Sequence, residues 1–217
     1  MNGTYKRDDL TVDQQLALAS AAGRLGEEFG GTFGTETIER FLHTSYDQFA
    51  GRATVAHFLP LLAERFARQR LRALARVEGE DDAGTPIVLF LCVHNAGRSQ
   101  MALGLFTRLA AGRAIAWSGG SDPVDEINPS AIEAMRERGI DILGEFPKPW
   151  TAEIVQAADV VVTMGCGDAC PIYPGKRYLD WELDDPAGKT LEQIRPIRDE
   201  IEHRVRALLD ELGVPAA

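Results

Sequence analysis

The sequence predicts an α/β fold, a four-stranded parallel sheet flanked by helices, preceded by a small three-helix bundle. Three observations carry this prediction. Residues 1–80 place apolar side chains three and four apart, the period of an α-helix with one buried face. Beyond them, short apolar runs such as Ile87–Leu91 and Val160–Thr163 alternate with helical stretches, as in a parallel sheet covered on both faces. Between the two, Glu78-Gly-Glu-Asp-Asp-Ala-Gly-Thr-Pro86 is polar, acidic and rich in turn formers, the composition of a linker. The expected division is a helical bundle at 1–80 and an α/β domain at 81–217.

Thr11 can cap a first helix running to about Leu25, with Leu16, Leu18, Ala22 and Leu25 toward a core. Gly30, Gly31 and Gly34 break it. Thr35 caps a second helix to about Tyr46, with Ile38, Phe41 and Leu42 on one side. A third spans about Arg52 to Arg76, and Val55, Phe58, Leu59, Leu62 and Phe66 follow its apolar spacing. Its Arg65, Arg68, Arg70, Arg72 and Arg76 read as a solvated face suited to the negative end of the helix dipole, in preference to a nucleic-acid surface. Residues 30–50 hold no recognition-helix pattern.

In the second half, a strand at Ile87–Leu91 leads to a helix over Gln100–Leu109 whose Met101, Leu105, Phe106 and Leu109 share a face. Ile115–Ser118 is a second strand, ending at Gly119-Gly120. Asn128 caps a helix with Pro129 at its first position, closing before Gly139. Thr151 starts a short helix, Val160–Thr163 is a third strand, and Tyr178-Leu179 lie in a fourth. The last helix, about Leu191 to Leu212, carries Ile194, Ile197, Ile201, Val205, Leu208 and Leu212 at spacings of three and four.

With 217 residues, 45% hydrophobic and 26% charged, the chain is long enough for one globular domain and a smaller one. No apolar run nears the roughly 20 residues that span a bilayer. The opening Met1-Asn-Gly-Thr-Tyr-Lys-Arg-Asp-Asp9 lacks the apolar core of a signal peptide. A cytoplasmic protein with no membrane partner is expected. A net charge of −10 argues against nucleic-acid binding. The charge is uneven: residues 1–80 carry 10 Lys and Arg against 11 Asp and Glu, residues 81–217 carry 13 against 22. An anion ligand would therefore have to be attracted locally, by a loop. Three cysteines do not make a disulfide framework, and no Cys-x2-Cys or His-x3-His pair supplies a metal cage. Neither a metal nor a bound cofactor is expected.

The chemistry concentrates in Cys92-Val-His-Asn-Ala-Gly-Arg98-Ser99, at the boundary of a strand and a helix. Such a boundary aims backbone N–H groups and the positive end of a helix dipole at one point, where a tetrahedral oxyanion can sit. Val93, His94, Asn95, Ala96, Gly97, Arg98 and Ser99 are the candidate binding residues. Cys92 is the candidate nucleophile, which must act as a thiolate. The dipole, Arg98 and the Ser99 hydroxyl favour that anion, and Arg98 can also bond two oxygens of phosphate or arsenate. Asn95 braces the loop, since Asn tolerates left-handed backbone.

A second constellation is Asp184-Asp185-Pro186, a carboxyl source for protonating a leaving oxygen if the fold brings it over the loop. A third is Val160-Val-Val-Thr-Met-Gly-Cys166-Gly-Asp-Ala-Cys170-Pro171, a strand running into a glycine-rich stretch with two thiols. Residues four apart can form a disulfide if their Cα atoms come within roughly 7 Å.

From Ile87 to Leu212 the sequence resembles the low-molecular-weight protein tyrosine phosphatases, and within them the cysteine-relay arsenate reductases. Cys92-x5-Arg98-Ser99 and Asp185-Pro186 are the family's two signatures. Arg98-Ser99-Gln100-Met101-Ala102, Ala187-Gly188 after Asp185-Pro186, and the paired Cys166 and Cys170 match the reductase branch.

The resemblance implies that Cys92 attacks arsenate while Asp185 protonates the departing oxygen. Cys166 then attacks Cys92 and releases arsenite, Cys170 moves the disulfide outward, and thioredoxin or a related thiol donor reduces it. Phosphate or sulfate would bind as analogues. Some relatives space the relay thiols more widely. Others bind potassium through an acidic residue where this chain has Leu103, so that site is expected to be absent or weak. The helical bundle resembles small domains attached to actinobacterial members of the family. A phosphatase acting on phosphate monoesters and an oxyanion-sensing adaptor are the alternatives.

Overall fold

A computed structural model describes residues 10–50, 58–80, 84–165 and 172–217. The chain divides into two compact units, residues 1–81 and 82–217.

The first unit is helical: α1 (Val12–Phe29), α2 (Thr35–Ala50) and α3 (Leu59–Glu78). Thr11 caps α1 in a reciprocal arrangement with Gln14. The buried stripe of α1 is Leu18, Ala21, Leu25 and Phe29. Leu16, expected inward, is 63% exposed. Two residues of helix turn the chain by about 200°, so Leu16 and Leu18 cannot share a face. Ala22 is half-buried. On α2, Ile38, Phe41 and Leu42 are buried as expected, and the helix runs on past Tyr46 to bury Phe49 as well. On α3 the buried stripe includes Leu59, Ala63, Phe66 and Leu71, while Phe58, just before the helix, is 60% exposed. The expected start at Arg52 and the inward Val55 lie outside the described residues.

The arginine run of α3 is not the solvated face its composition suggested. Arg68 donates to Glu28 (2.6 Å) and Glu64 (2.9 Å), and Arg72 to Glu28 (2.7 Å). Arg70 stacks over Phe41 at 4.6 Å and bonds the hydroxyls of Thr44 and Ser45. Glu64 is buried, and a hydrogen bond from Arg24 holds its carboxyl below the usual range despite that burial. These arginines fasten α3 to α1 and α2.

The second unit alternates strands and helices: β1 (Ile87–Cys92), α4 (Arg98–Ala110), β2 (Ile115–Gly120), α5 (Pro129–Arg136), α6 (Ala152–Ala157), β3 (Val160–Thr163), β4 (Arg177–Asp180) and α7 (Leu191–Glu211). The strands pair in parallel in the order β2-β1-β3-β4. Strand β1 is buried along its whole length, which its unbroken apolar run requires. Phe90 meets Phe106 edge-on at 5.6 Å and Trp181 at 5.8 Å, and Ile194, Ile201 and Val205 of α7 are fully buried.

Because β1 leads to β2 on one side and β3 lies on the other, the chain reverses direction at the carboxyl end of β1. That crevice is where open parallel sheets bind ligands. Cys92 pairs with Gly120 there, so both strands extend to the loop. A Cβ on Gly120 would lie 2.6 Å from the Val93 carbonyl oxygen, which explains the glycine at the end of β2. Among the described residues no helix is long and apolar enough to cross a membrane.

Candidate active site

Strand β1 ends at Cys92, and α4 begins at Arg98. Between them every carbonyl from Val93 to Gly97 is engaged. Asp122 N–H donates to Val93 (2.9 Å), Val124 N–H to His94 (3.2 Å), and Asn128 N–H to Ala96 (2.9 Å). Met101 N–H donates to Gly97 (2.9 Å) and Gln100 Nε2 to Asn95 (2.9 Å). Among the described residues none accepts from the N–H groups of the same five residues. A loop with its carbonyls tied back and its donors unengaged is an anion-binding nest, and the amino end of α4 adds the positive end of its dipole.

Asn95 makes the turn, with φ of +50°. It is fully buried, and its Oδ1 accepts from Lys148 N–H (2.9 Å). That contact orients the amide, so Nδ2 donates to Ser99 Oγ (2.8 Å). Ser99 Oγ lies 3.0 Å from Cys92 Sγ. With Asn95 on its acceptor side, the hydroxyl is free to donate to the sulfur when that is ionised. Gln100, also buried, donates to the Asn95 and Phe146 carbonyls, tying the loop to the segment that holds Lys148. His94 is exposed, with Nδ1 3.1 Å from the Asp122 carbonyl oxygen, so a neutral ring carries its proton on Nδ1.

Arg98 is 8% exposed. Its Nη1 donates to the Leu183 carbonyl (3.3 Å), and its Nη2 lies 3.7 Å from Asp185 Oδ1. Its other neighbour is Gly165, where a Cβ would sit 3.1 Å from Nη1 and where φ is +73°. Of the two adjacent carboxylates, Asp184 pairs with Lys189 (3.1 Å), while Asp185 lines the cleft. The Pro186 ring closes against the loop: a Cβ on Gly97 would come 2.4 Å from its Cγ. Cys92, Arg98, Asn128, Asp185 and Pro186 are among the lining of a cleft of about 40 Å³. That is about three times the ~10–15 Å³ a single water needs, the scale of a small ion.

The fold thus brings Cys92, Arg98, Ser99, the intervening loop and Asp185 together. Cys166 and Cys170 lie outside the described residues. That residues 122–128 tie back the loop is invisible in the sequence, because main-chain donors leave no trace in side-chain identity. Gln100 and Lys148 escape a sequence reading because Gln100 reaches the Phe146 carbonyl and the Lys148 main-chain N–H reaches Asn95 Oδ1, both across segments remote in the chain. In sequence Asn128 is only a helix cap, and Gly165 only part of a glycine-rich stretch. Leu103 is buried, and among the described residues no cluster of His, Cys, Asp or Glu could hold a metal ion.

Residues 87–215 match the low molecular weight phosphotyrosine protein phosphatase family, and residues 18–75 the protein-tyrosine-phosphatase-like N-terminal domain. A thioredoxin-dependent arsenate reductase of Corynebacterium glutamicum superposes with a TM-score of 0.83 at 44% identity, covering 92% of this chain and 98% of that one. A putative arsenate reductase of Halobacterium salinarum is 39% identical over 129 residues, 57% of this chain and 91% of the relative. A glutaredoxin arsenate reductase of Synechocystis is 36% identical over 129 residues, 58% of this chain and 98% of the relative. With more than half its length matched, and that likeness extending through its helical unit, the chain belongs to the low molecular weight phosphotyrosine protein phosphatase family.

Proposed function

We propose that this protein reduces arsenate to arsenite through a relay of three cysteines, and that thioredoxin restores them. The observation that carries the reading is an anion nest that begins at the Cys92 thiol, in a chain whose sequence holds two more thiols shortly after Gly165. Gly165, the residue before Cys166, packs against the guanidinium of Arg98. The chain therefore enters the Cys166–Cys170 stretch from the edge of the nest.

In the first step the Cys92 thiolate forms an S–As bond and one arsenic–oxygen bond breaks. The departing oxygen leaves as water, taking a proton from Asp185. Loop N–H groups and Arg98 hold the remaining oxygens. Cys166 then attacks the Cys92 sulfur: the S–As electron pair stays on arsenic, which leaves as arsenite, and a Cys92–Cys166 disulfide forms. Two thiols are oxidised and As(V) becomes As(III), so the electrons balance. Cys170 attacks Cys166, frees Cys92 and moves the disulfide to Cys166–Cys170, where an external dithiol reduces it. Within this reading residues 81–217 are the catalytic domain, 1–80 a separate helical domain, and the cytoplasm the setting.

The test is arsenate-dependent NADPH consumption through thioredoxin and its reductase, on wild type and three variants. Cys92→Ser and Cys166→Ser should release no arsenite. Cys170→Ser should release one equivalent per chain and stop. Cys166→Ser and Cys170→Ser turning over as fast as wild type would refute the relay, and hydrolysis of an aryl phosphate by both would indicate a phosphatase. Turnover with glutaredoxin and glutathione alone would replace thioredoxin as donor.

A further inference from the structure

The geometry points to Asn128 as the positioning residue that sets Asp185 over the anion loop. This rests on the reading of Asp185 as the acid. Asn128 connects three elements at once. Its main-chain N–H holds the Ala96 carbonyl of the loop at 2.9 Å. Its Oδ1 accepts from Ser130 N–H (2.9 Å) and Ala131 N–H (3.3 Å), capping α5. Its Nδ2 donates to the Pro186 carbonyl at 3.1 Å. The two main-chain donors on Oδ1 fix the amide's orientation, so Nδ2 has to face Pro186.

Asp185 needs such a holder. Its side chain is 56% exposed, 3.7 Å from Arg98, and otherwise bonded within its own turn, to Ala187 N–H at 3.2 Å. The carboxyl stands where the backbone of 185–187 stands. That backbone is located from the loop side by two contacts: the Pro186 ring on Gly97, and the Pro186 carbonyl on Asn128. Ser, Thr or Asp would cap α5 as well as Asn. An amide carries the acceptor for the cap and the donor for the acid loop on two separate atoms, whereas a Ser or Thr hydroxyl holds both on one atom of shorter reach and Asp has no donor when ionised. The identity of residue 128 is therefore set by the reaction as well as by the helix.

The experiment is a double-mutant cycle on the full chain, read as single-turnover arsenite release from the fully reduced protein, which needs no external donor. Asn128→Ser keeps a capping oxygen and the main-chain bond to Ala96 but loses the Nδ2 donor. We expect the saturated rate to fall about tenfold, since small misplacements of a reacting group cost that much or more, with inorganic phosphate affinity within about twofold of wild type. Asn128→Asp, which keeps the shape and the cap, guards against a packing defect and should be slowed at saturation to the same degree. Asp185→Asn should be slower still, and adding Asn128→Ser to it should change the rate less than about twofold, because both act on one proton transfer.

A further tenfold loss in the double variant, or both Asn128 variants within about twofold of wild type while Asp185→Asn is slow, would overturn the assignment. An Asp185→Asn variant as fast as wild type would overturn the acid reading itself, and this inference with it.

Discussion

Ser99 shows how one side chain carries the site. Its hydroxyl takes a hydrogen bond from buried Asn95 and stands 3.0 Å from the Cys92 sulfur. A hydrogen bond to a charged group is worth about 1.5–3 kcal/mol. Ser99→Ala should therefore slow the first chemical step roughly ten- to a hundredfold, each ~1.4 kcal/mol being a factor of ten. Phosphate affinity should change little, because the loop N–H groups and Arg98 remain. The variant also strands the Asn95 Nδ2 donor in a buried place, and thermal unfolding should show a loss of about 1–2 kcal/mol.

Among the elements, the seam between α5 and α7 is tied by charge. Glu137, just past α5, accepts from Arg195 (2.6 Å) and from Arg198 (2.9 Å). Arg198 is buried and also donates to the Ala134 carbonyl (2.8 Å). The Arg195 hydrogen bonds, then the one from Arg198, lower the Glu137 carboxyl from its ordinary 4.5 to about 2. A carboxylate whose folded pKa is lowered stabilises fully above its unfolded pKa, and that contribution fades as pH falls through the folded one. The difference in urea midpoint between wild type and Glu137→Gln should thus be full above about pH 4.5 and close as the pH approaches 2. A gap that widens on acidification would show that Glu137 does not hold the seam through its charge.

At the scale of the whole molecule, each unit has its own buried core. In the first, Leu25, Leu42, Phe66 and Leu71 are inaccessible; in the second, Phe90, Phe106, Met101 and Leu105 are nearly or fully so. Every residue of the nest, the cleft and the Asp185 loop belongs to the second unit. Residues 82–217 expressed alone should unfold cooperatively and release arsenite in a single turnover within about threefold of the full chain's rate, since the first-step geometry is internal to that unit. Trp117, Trp150 and Trp181 are the chain's three tryptophans and all lie in it, so their fluorescence can follow the unfolding. A fragment that folds but loses the reaction would give the helical unit a direct part in the chemistry.

Local information in the sequence determined much of this. The period of the apolar residues located helices and strands, because burial of one face is a local rule. The Cys92–Ser99 stretch was legible as a candidate oxyanion loop, because a strand–loop–helix boundary creates donors from backbone alone. Local rules failed where a side chain's neighbour was distant in sequence. The arginines of α3 were not legible as ties, since ion pairing depends on which face the other helices cover. The resemblance singled out Asp185, and the tertiary structure supplies the physical difference: Asp185 stands 3.7 Å from Arg98, while Asp184 is turned to Lys189. The tertiary structure alone revealed the carbonyls tied back by residues 122–128, and Asn128 joining the acid loop to a helix cap. These are hydrogen bonds between segments tens of residues apart, and no periodicity or spacing records them.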